Sequence, residues 1–288
     1  RPGNAMNGML QIGPVMLPVT LLAIITSVLA GQWISAWLFR RCGRDGQLPL
    51  SRLLLAGLLA SRATFVAEQF DAYATDPTSI IDIRDGGWNA TVGFVTAWAY
   101  GGWLAWRRHD WKVPLLVGLA ASTLVWSGAH LLAAASGSTM ARSGLPAVEF
   151  RTLASEPQSL QDFRGRPVVI NLWAGWCPPC RREMPIFAQA QEEYPDIAFV
   201  FLNQGESLAT VKQFLAQQDL ALNNVLLDAD TQAATIFGHR ALPATLFFDS
   251  DGRHVDTRLG ELSRATLTQR LTLLNRPSIH DASKEKRP

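Results

Sequence analysis

Long uncharged stretches dominate the first half of the chain and restrict what it can fold into. Residues 14–39 and 87–106 contain no charged side chain, and residues 113–135 contain only His130 as an ionisable group. Each stretch is long enough for an α-helix to cross a bilayer core of about 30 Å at about 1.5 Å per residue. Residues 48–70 form a weaker candidate, because charged side chains lie near both ends and inside it. The sequence therefore predicts four transmembrane helices.

Basic side chains cluster in two of the connections between these stretches. They are Arg40, Arg41 and Arg44 after the first stretch, and Arg107, Arg108 and Lys112 between the third and the fourth. By the positive-inside rule both connections face the cytoplasm. Residues 71–86 and everything after residue 135 then lie in the periplasm of a bacterium, and the protein is predicted to be a multi-pass protein of the inner membrane. A cleaved signal peptide is the alternative for the first stretch, although that stretch is long for one.

Composition divides the 288 residues into unequal parts. The net charge is only +2, so no charge excess favours nucleic acid as a partner, and the lipid bilayer is the expected one. Small residues at 136–146 predict a linker. The chain is thus divided into an N-terminal tail at 1–13, a membrane domain at 14–135, this linker, a second domain at 147–275 and a charged tail at 276–288 that is predicted to be disordered.

Strand and helix patterns alternate in the second domain. Residues 168–173 (VVINLW) predict a strand buried on both faces, and residues 178–194 predict a helix. The other predicted strands are 197–202, 224–227, 245–249 and 253–260, and the other predicted helices are 206–218, 230–237 and 263–275. This alternation, ending in a hairpin, predicts an α/β sandwich around a mixed sheet.

Two cysteines separated by two prolines stand between the first strand and the first helix of this domain. In that position the pair of Cys177 and Cys180 predicts a redox-active dithiol, which is the only cofactor expected. The alternative, a zinc site, needs further ligands, and the other cysteine of the chain, Cys42, lies on the far side of the membrane by the predicted topology. We therefore expect no metal, and we expect Cys42 to be an inert thiol.

The spacing of the dithiol suggests a role for each residue. With Cys177 as the N-cap, Pro178 and Pro179 take the first two helical positions, where a missing N–H costs little. The helix N-terminus stabilises a thiolate on Cys177, which becomes the attacking sulfur, while Cys180 is the buried resolving thiol. Glu183 lies on the same helical face and could accept the proton of Cys180. The alternative is an ordinary surface glutamate.

The stretches FRGRPVVINLWAGWCPPCRREMP and FGHRALPATLFFDSDG resemble the TlpA/ResA branch of the thioredoxin superfamily, which includes the cytochrome c maturation reductases. The resemblance covers about residues 148–274 and implies a thioredoxin-like fold. It also implies that Glu183 assists exchange and that Pro243 forms a cis peptide beside the disulfide. Thioredoxin has a buried aspartate where this chain has Asn171, which strengthens the case for Glu183. His239, near Pro243, is expected to be an exposed loop histidine; the alternative is that it tunes the site.

The same resemblance implies a function and its partners. It predicts a periplasmic reductase of protein disulfides, supplied with electrons by a DsbD-like membrane protein, since Cys42 alone cannot pass electrons by thiol exchange. An oxidase or isomerase of the same fold is the alternative. The substrate-binding residues implied are Trp176, Pro178, Pro179, Leu242 and Pro243.

The membrane half is similar to the first part of prolipoprotein diacylglyceryl transferases, in IGPVMLPV, LLASRATFV and DIRDGG. Arg62 falls in the second of these stretches, inside a predicted helix, where a charge is costly unless paired. We predict an ion pair with Asp82 or Asp85; a site for a lipid headgroup is the alternative. This resemblance leaves open a function of another class, a lipid-handling membrane protein whose thioredoxin-like domain docks a partner.

Overall fold

The computed structural model describes six stretches of the chain: 9–12, 15–41, 50–74, 77–82, 85–137 and 144–274. The chain divides into two units, each treated by itself below. One contains Arg1–Phe70 and Gly87–Ser138, and the other contains Asp71–Gly86 and Thr139–Pro288. Residues 71–86, predicted above as part of the membrane domain, thus belong to the same unit as the C-terminal half. The predicted tail at 276–288 lies outside the described residues.

Four long helices build the first unit. They are α1 (Val19–Arg41), α2 (Leu50–Glu68), α4 (Ala90–Arg107) and α5 (Lys112–Gly137), and the short helix α3 (Phe70–Ala74) follows α2. Helices therefore occupy all four predicted stretches. The start of the first stretch was predicted wrongly, because β1 (Met9–Ile12) and β2 (Val15–Pro18) pair antiparallel before α1. Prolines at 14 and 18 cannot donate an N–H inside a helix, which favours this later helix start.

Small residues allow close approach between pairs of these helices. A Cβ atom on Gly31 of α1 would lie 2.8 Å from the carbonyl oxygen of Gly118 on α5, and the reverse substitution gives the same distance. Ser35 Oγ donates to the Pro114 carbonyl at 2.8 Å across the same pair of helices. Interfaces of small residues with hydroxyl hydrogen bonds are typical of helices packed within membranes.

Two helices in the described part of the chain are long and apolar enough to cross a membrane. They are Leu22–Arg41 and His109–Leu132. Large apolar side chains on them are exposed, among them Trp33 at 66% and Leu124 at 74%. This agrees with lipid as their surroundings, but it singles out two helices rather than four. A four-helix transmembrane domain therefore stays a prediction.

A seven-stranded mixed sheet forms the centre of the second unit. Its strands are β3 (Glu149–Thr152), β4 (Pro157–Ser159), β5 (Val168–Trp173), β6 (Ala198–Gln204), β7 (Val225–Asp228), β8 (Ala244–Phe248) and β9 (His254–Leu259), in the order β4-β3-β7-β6-β5-β8-β9. Strands β5, β6 and β7 are parallel and the other pairs are antiparallel. The prediction of an α/β sandwich is confirmed. Strands β3 and β4 were not predicted, since they are short, polar strands at one side of the sheet.

Helices cover both faces of this sheet. They are α6 (Pro178–Glu193), α7 (Leu208–Gln217), α8 (Gln232–Ile236) and α9 (Arg264–Leu274). Because side chains alternate along a strand, Val169 and Trp173 of β5 pack with α6, α7 and α9, while Ile170 packs on the other face with α8. Asn171 therefore points to the α6 side of the sheet, where it meets a side chain of that helix.

Candidate active site

The two cysteines of the CxxC pair form a disulfide at the start of α6. Strand β5 ends at Trp173, and Cys177 is the N-cap of the helix, so the sulfur stands at the carboxyl edge of the sheet. The amide of Cys180 donates to Cys177 Sγ at 3.3 Å. Pro178 and Pro179 fill the first two helical positions, as predicted.

Electrostatics at this helix end favour a charged sulfur on the first cysteine. The Cys180 N–H and the positive end of the helix dipole both point toward the N-cap, where Cys177 is 3% exposed. Cys180, one turn further in, has no exposed surface. Attack by a thiolate of Cys177, with Cys180 resolving the mixed disulfide, is the chemistry that this arrangement allows.

Residues around the disulfide include both exposed and buried groups. Trp176, next to Cys177, is 68% exposed, which is unusual for an indole in a folded domain. The peptide bond between Leu242 and Pro243 is cis, as the family resemblance implied. Leu242 packs against the apolar cluster that contains both cysteines, and Pro243 is buried.

Glu183 is fully buried on α6, one helical turn beyond Cys180, so an ordinary surface position is wrong for it. Asn171 Nδ2 donates to Glu183 Oε1 at 2.8 Å, and the backbone N–H of Leu262 donates to Oε2 at 3.0 Å. Asn171 Nδ2 also lies 3.1 Å from Thr245 Oγ1 on the neighbouring strand β8. The carboxyl group is thus held on both oxygens inside the core.

Burial raises the pKa of Glu183 from 4.5 to about 8, although the hydrogen bonds from Asn171 and Leu262 act in the opposite direction. The charge of Glu261 raises this pKa further, and that of Arg258 lowers it. Desolvation outweighs the two hydrogen bonds and the attraction of Arg258, because burial removes the carboxylate from water. The carboxyl group therefore carries a proton at neutral pH.

A second carboxylate, which sequence reasoning missed, holds the loop before the dithiol. Glu206 accepts from the backbone N–H of Gly175 at 2.6 Å and from Asn203 Nδ2 at 2.7 Å. Glu206 follows β6, which lies parallel to β5, and parallel strands bring their carboxyl ends to one edge of a sheet. A polar residue directly after the next parallel strand was the signal that could have revealed it.

His239 is 6% exposed, so the expectation of an exposed loop histidine is wrong. Burial lowers its pKa, and the charge of His254 lowers it further. Its Nε2 atom accepts or donates no hydrogen bond among the described residues. Phe237, two residues before it, belongs to the apolar cluster on the α8 face of the sheet, and Pro243, four residues after it, is buried.

The membrane-domain candidates fall in different units. Arg62, on α2, is buried and donates from Nη1 to the Gly87 carbonyl at 2.8 Å, with its guanidinium 5.8 Å from the ring centre of Trp88. Asp82 and Asp85 belong to the second unit. An ion pair between Arg62 and either aspartate stays a prediction, as does the alternative of a lipid-headgroup site. No group of three or more His, Cys, Asp or Glu side chains that could hold a metal occurs among the described residues.

Comparison with known proteins places the second unit in a family. The redoxin family model matches residues 140–271. The thioredoxin-like protein YneN of Bacillus subtilis is 33% identical over 132 residues, which cover 44% of this chain and 76% of YneN. The thiol-disulfide oxidoreductase ResA of Halalkalibacterium halodurans is 28% identical over 140 residues, which cover 47% of this chain and 79% of ResA.

A solved structure gives a similar match. A secreted disulfide oxidoreductase of Mycobacterium tuberculosis is 25% identical, covers 44% of this chain and 96% of its own, and has a TM-score of 0.41. The redoxin model does not reach the helical unit, whose resemblance to prolipoprotein diacylglyceryl transferases stays a prediction. The match to YneN extends over three quarters of that relative. The chain therefore belongs to the thioredoxin-like proteins, as a thiol:disulfide oxidoreductase with a redoxin domain at residues 140–271.

Proposed function

We propose that the protein is a membrane-anchored reductase of periplasmic protein disulfides, with Cys177, Cys180 and Glu183 as its reacting groups. The observation that carries this proposal is the buried, proton-bearing carboxyl group of Glu183 one helical turn from Cys180. A sulfur without exposed surface has no direct access to water for proton exchange. A neighbouring carboxyl group with a pKa near neutrality can supply that proton and take it back.

Client reduction starts from the reduced dithiol. The Cys177 thiolate attacks one sulfur of the client disulfide, forms a mixed disulfide and releases the other client sulfur as a thiolate. In the reduced form the shared proton is on Cys180 and Glu183 is a carboxylate, whereas in the disulfide form the proton is on Glu183. Glu183 therefore takes the proton of Cys180 at this step. The Cys180 thiolate then attacks Cys177 Sγ, which closes the internal disulfide and releases the second client thiolate. Two electrons have passed to the client, and the proton remains on Glu183.

Re-reduction reverses these steps with a donor dithiol. A donor thiolate attacks Cys177, Cys180 leaves as a thiolate, and Glu183 returns the proton to it. A second donor thiolate then releases Cys177. The helical unit has a single cysteine, Cys42, in its sequence, and one cysteine cannot pass two electrons by thiol exchange. The electrons therefore come from another protein, and the donor we propose is a DsbD-like membrane protein.

The surroundings of Cys180 support the reductive direction. An oxidase such as DsbA is strongly oxidising because its reduced form is stabilised as a thiolate. Here the burial of Cys180 and, in the reduced form, the carboxylate of Glu183 both disfavour a thiolate on that sulfur, so thiolate stabilisation of the reduced form is confined to Cys177. The reduced form gains less stabilisation, so the dithiol should pass its two electrons to client disulfides more readily and close its own disulfide.

Substitution of Glu183 by glutamine tests the proton transfer. Glu183→Gln keeps the size of the side chain but cannot carry the proton, so single-turnover reduction of a model disulfide should slow by about 10- to 100-fold. The full chain in detergent is used, with circular dichroism to confirm the fold. Glu192→Gln, which changes an exposed glutamate near the other end of the same helix, serves as the matched control. An unchanged rate in Glu183→Gln would remove Glu183 from the mechanism.

Equilibration with glutathione buffers tests whether the protein reduces or oxidises its clients. We expect a midpoint potential of the Cys177–Cys180 couple well below that of oxidases, at about −200 mV or lower. A midpoint potential near the DsbA value of about −120 mV would instead establish an oxidase.

The client class is tested with Cys180→Ser, which should trap clients as mixed disulfides on Cys177. The exposed Trp176 should supply apolar contact to the bound client.

Membrane anchoring is supported by the helix ends that carry positive charge. Arginine side chains lie over indole rings there, as is common at membrane interfaces. The pairs are Arg41 with Trp37 at 4.2 Å, Arg107 with Trp103 at 5.0 Å and Arg108 with Trp111 at 5.4 Å. All three belong to the ends predicted to face the cytoplasm. A periplasm-specific reporter fused after Leu274 should be active, and the same reporter fused at Gly43 should be silent; the reverse would overturn the topology.

A further inference from the structure

The second unit contains a buried carboxylate that the mechanism above does not use, that of Asp85. It is 4% exposed. Tyr73 Oη donates to its Oδ2 at 2.8 Å, and Ser263 Oγ donates to the same oxygen at 3.1 Å. Tyr73 and Asp85 come from the segment 71–86, which lies between α2 and α4 in the sequence, whereas Ser263 directly precedes α9. A buried hydrogen-bond cluster thus fixes this segment within the thioredoxin-like unit.

The backbone next to Asp85 packs on the guanidinium group of Arg258, on β9. A Cβ atom placed on Gly86 would lie 2.5 Å from both terminal nitrogens of Arg258. Burial lowers the pKa of Arg258, and the charges of Asp85 and Glu183 raise it. Arg258 therefore acts electrostatically on two carboxyl groups, one in the segment 71–86 and one beside the dithiol.

Two consecutive residues join the same two carboxyl groups. Leu262 donates its backbone N–H to Glu183 Oε2 at 3.0 Å, and Ser263, the next residue, donates its hydroxyl to Asp85. The other charge that acts on Glu183 is that of Glu261, which accepts from Arg182 Nε at 3.0 Å. Arg258, on β9, and Glu261, between β9 and α9, are therefore the two charges that act on Glu183, and Asp85 is a second carboxylate that acts on Arg258.

We propose that Asp85 is a positioning residue for disulfide exchange, which compensates the charge of Arg258 and, through Ser263, fixes the backbone that holds Glu183. The proposal rests on the proton transfer by Glu183 proposed above. Because Asp85 attracts Arg258, Arg258 favours a negative charge on Glu183 less strongly, and the carboxyl group of Glu183 keeps its proton. A residue between two predicted membrane helices would in this way set the protonation of the redox centre.

The test measures how the rate of disulfide reduction depends on pH. The full-length oxidised protein in detergent is reduced by the same dithiol at each pH, so the titration of the reductant is common to all variants. In Asp85→Asn, Arg258 is no longer attracted by Asp85, so it should favour the carboxylate of Glu183 more strongly and move the midpoint of the profile down by about one pH unit. Asp85→Glu keeps the carboxylate, so its midpoint should lie close to that of the wild type. Asp71→Asn, an exposed carboxylate of the same segment, should leave the midpoint unchanged.

A second variant keeps the test decisive where Asp85→Asn does not fold. Arg258→Gln removes the cation, so the midpoint should move up. When Asp85→Asn is added to Arg258→Gln, the further change in midpoint should be less than half of the change that Asp85→Asn causes in the wild type. An unchanged midpoint in Asp85→Asn, or an equal shift with and without Arg258, would overturn the proposal. A merely structural role for Asp85 would lower stability in Asp85→Asn and in Asp85→Glu without moving the midpoint.

Glu183→Gln separates this proposal from the one on which it rests. If Glu183→Gln abolishes the change of rate with pH while Asp85→Asn leaves the wild-type midpoint in place, only the role of Asp85 is rejected. If the rate still changes with pH at the same midpoint in Glu183→Gln, Glu183 is not the proton carrier, and both proposals are rejected.

Discussion

Replacing Glu183 by glutamine should change how the stability of the thioredoxin-like unit depends on pH. The carboxyl group has a pKa of about 8 in the folded, oxidised protein and an ordinary value of 4.5 when unfolded. Because the folded pKa is the higher one, the folded state binds more protons between these values. The contribution of Glu183 to stability is therefore complete below about pH 4.5 and is lost as the pH rises toward 8. Glutamine does not titrate, so this dependence should vanish.

The size of the effect follows from the difference between the two pKa values. Each unit corresponds to about 1.4 kcal/mol, so the free energy of unfolding of the wild type, measured relative to Glu183→Gln, should fall by up to about 5 kcal/mol from pH 4.5 to 8. Urea titration of the oxidised full chain in detergent measures it, with the folded unit quantified by pulse proteolysis. Taking the difference between the two proteins cancels the titration of other groups.

The slope of this difference in unfolding free energy against pH shows whether the pKa of Glu183 is raised in the folded protein. A loss of stability toward higher pH, steepest between the two pKa values, is the expected result. A difference that stays constant over this range would show that Glu183 ionises as readily in the folded protein as in the unfolded chain. Water would then reach the carboxyl group, and its role as a proton reservoir for Cys180 would have no physical basis.

Three further predictions concern other parts of the molecule. Glu206→Ala removes a charged acceptor from the Gly175 amide, so it should destabilise the thioredoxin-like unit by about 2 kcal/mol in urea titration and slow single-turnover exchange. Gly118→Leu should lower the melting temperature of the helical unit, since its Cβ would lie 2.8 Å from a backbone oxygen of the neighbouring helix, whereas Gly102→Leu enters open space and should not. Because burial lowers the pKa of His239, its neutral form stabilises the fold above about pH 6.5, and this stability is lost on acidification; His239→Asn should reduce the loss of stability between pH 7 and 5.

The arrangement around the dithiol was predictable where local chain geometry decides it. A CxxC pair between a buried strand and a helix starting with two prolines has few alternatives, so the N-cap position of Cys177 followed from the sequence. Glu183 was predicted in place because three residues along a helix return to the same face. The core strands were predicted well, since their apolar runs can only be buried.

Features that depend on contacts distant in sequence were not predictable. Neither Glu206 nor Asp85 carries a local pattern that names its partner, and each acts on a residue brought close only by the tertiary fold. His239 was expected to be exposed because a polar residue in a turn usually is, yet tertiary packing buried it. The strands β3 and β4 are short and polar, and their pairing rather than their composition makes them strands.

The buried proton of Glu183 has a consequence for the energetics of electron transfer. In the oxidised protein the proton is on the carboxyl group, and after reduction it is on Cys180, so two electrons enter without a proton crossing to solvent as long as Cys177 is a thiolate. A two-electron couple that takes up one proton shifts its midpoint by about 30 mV per pH unit. Here that shift should be close to zero over the pH range in which Cys177 is a thiolate, the reduced form holds Glu183 as a carboxylate and the oxidised form keeps it protonated, a range that ends at about 8. The reducing strength offered to clients would then stay constant while the acidity of the compartment varies.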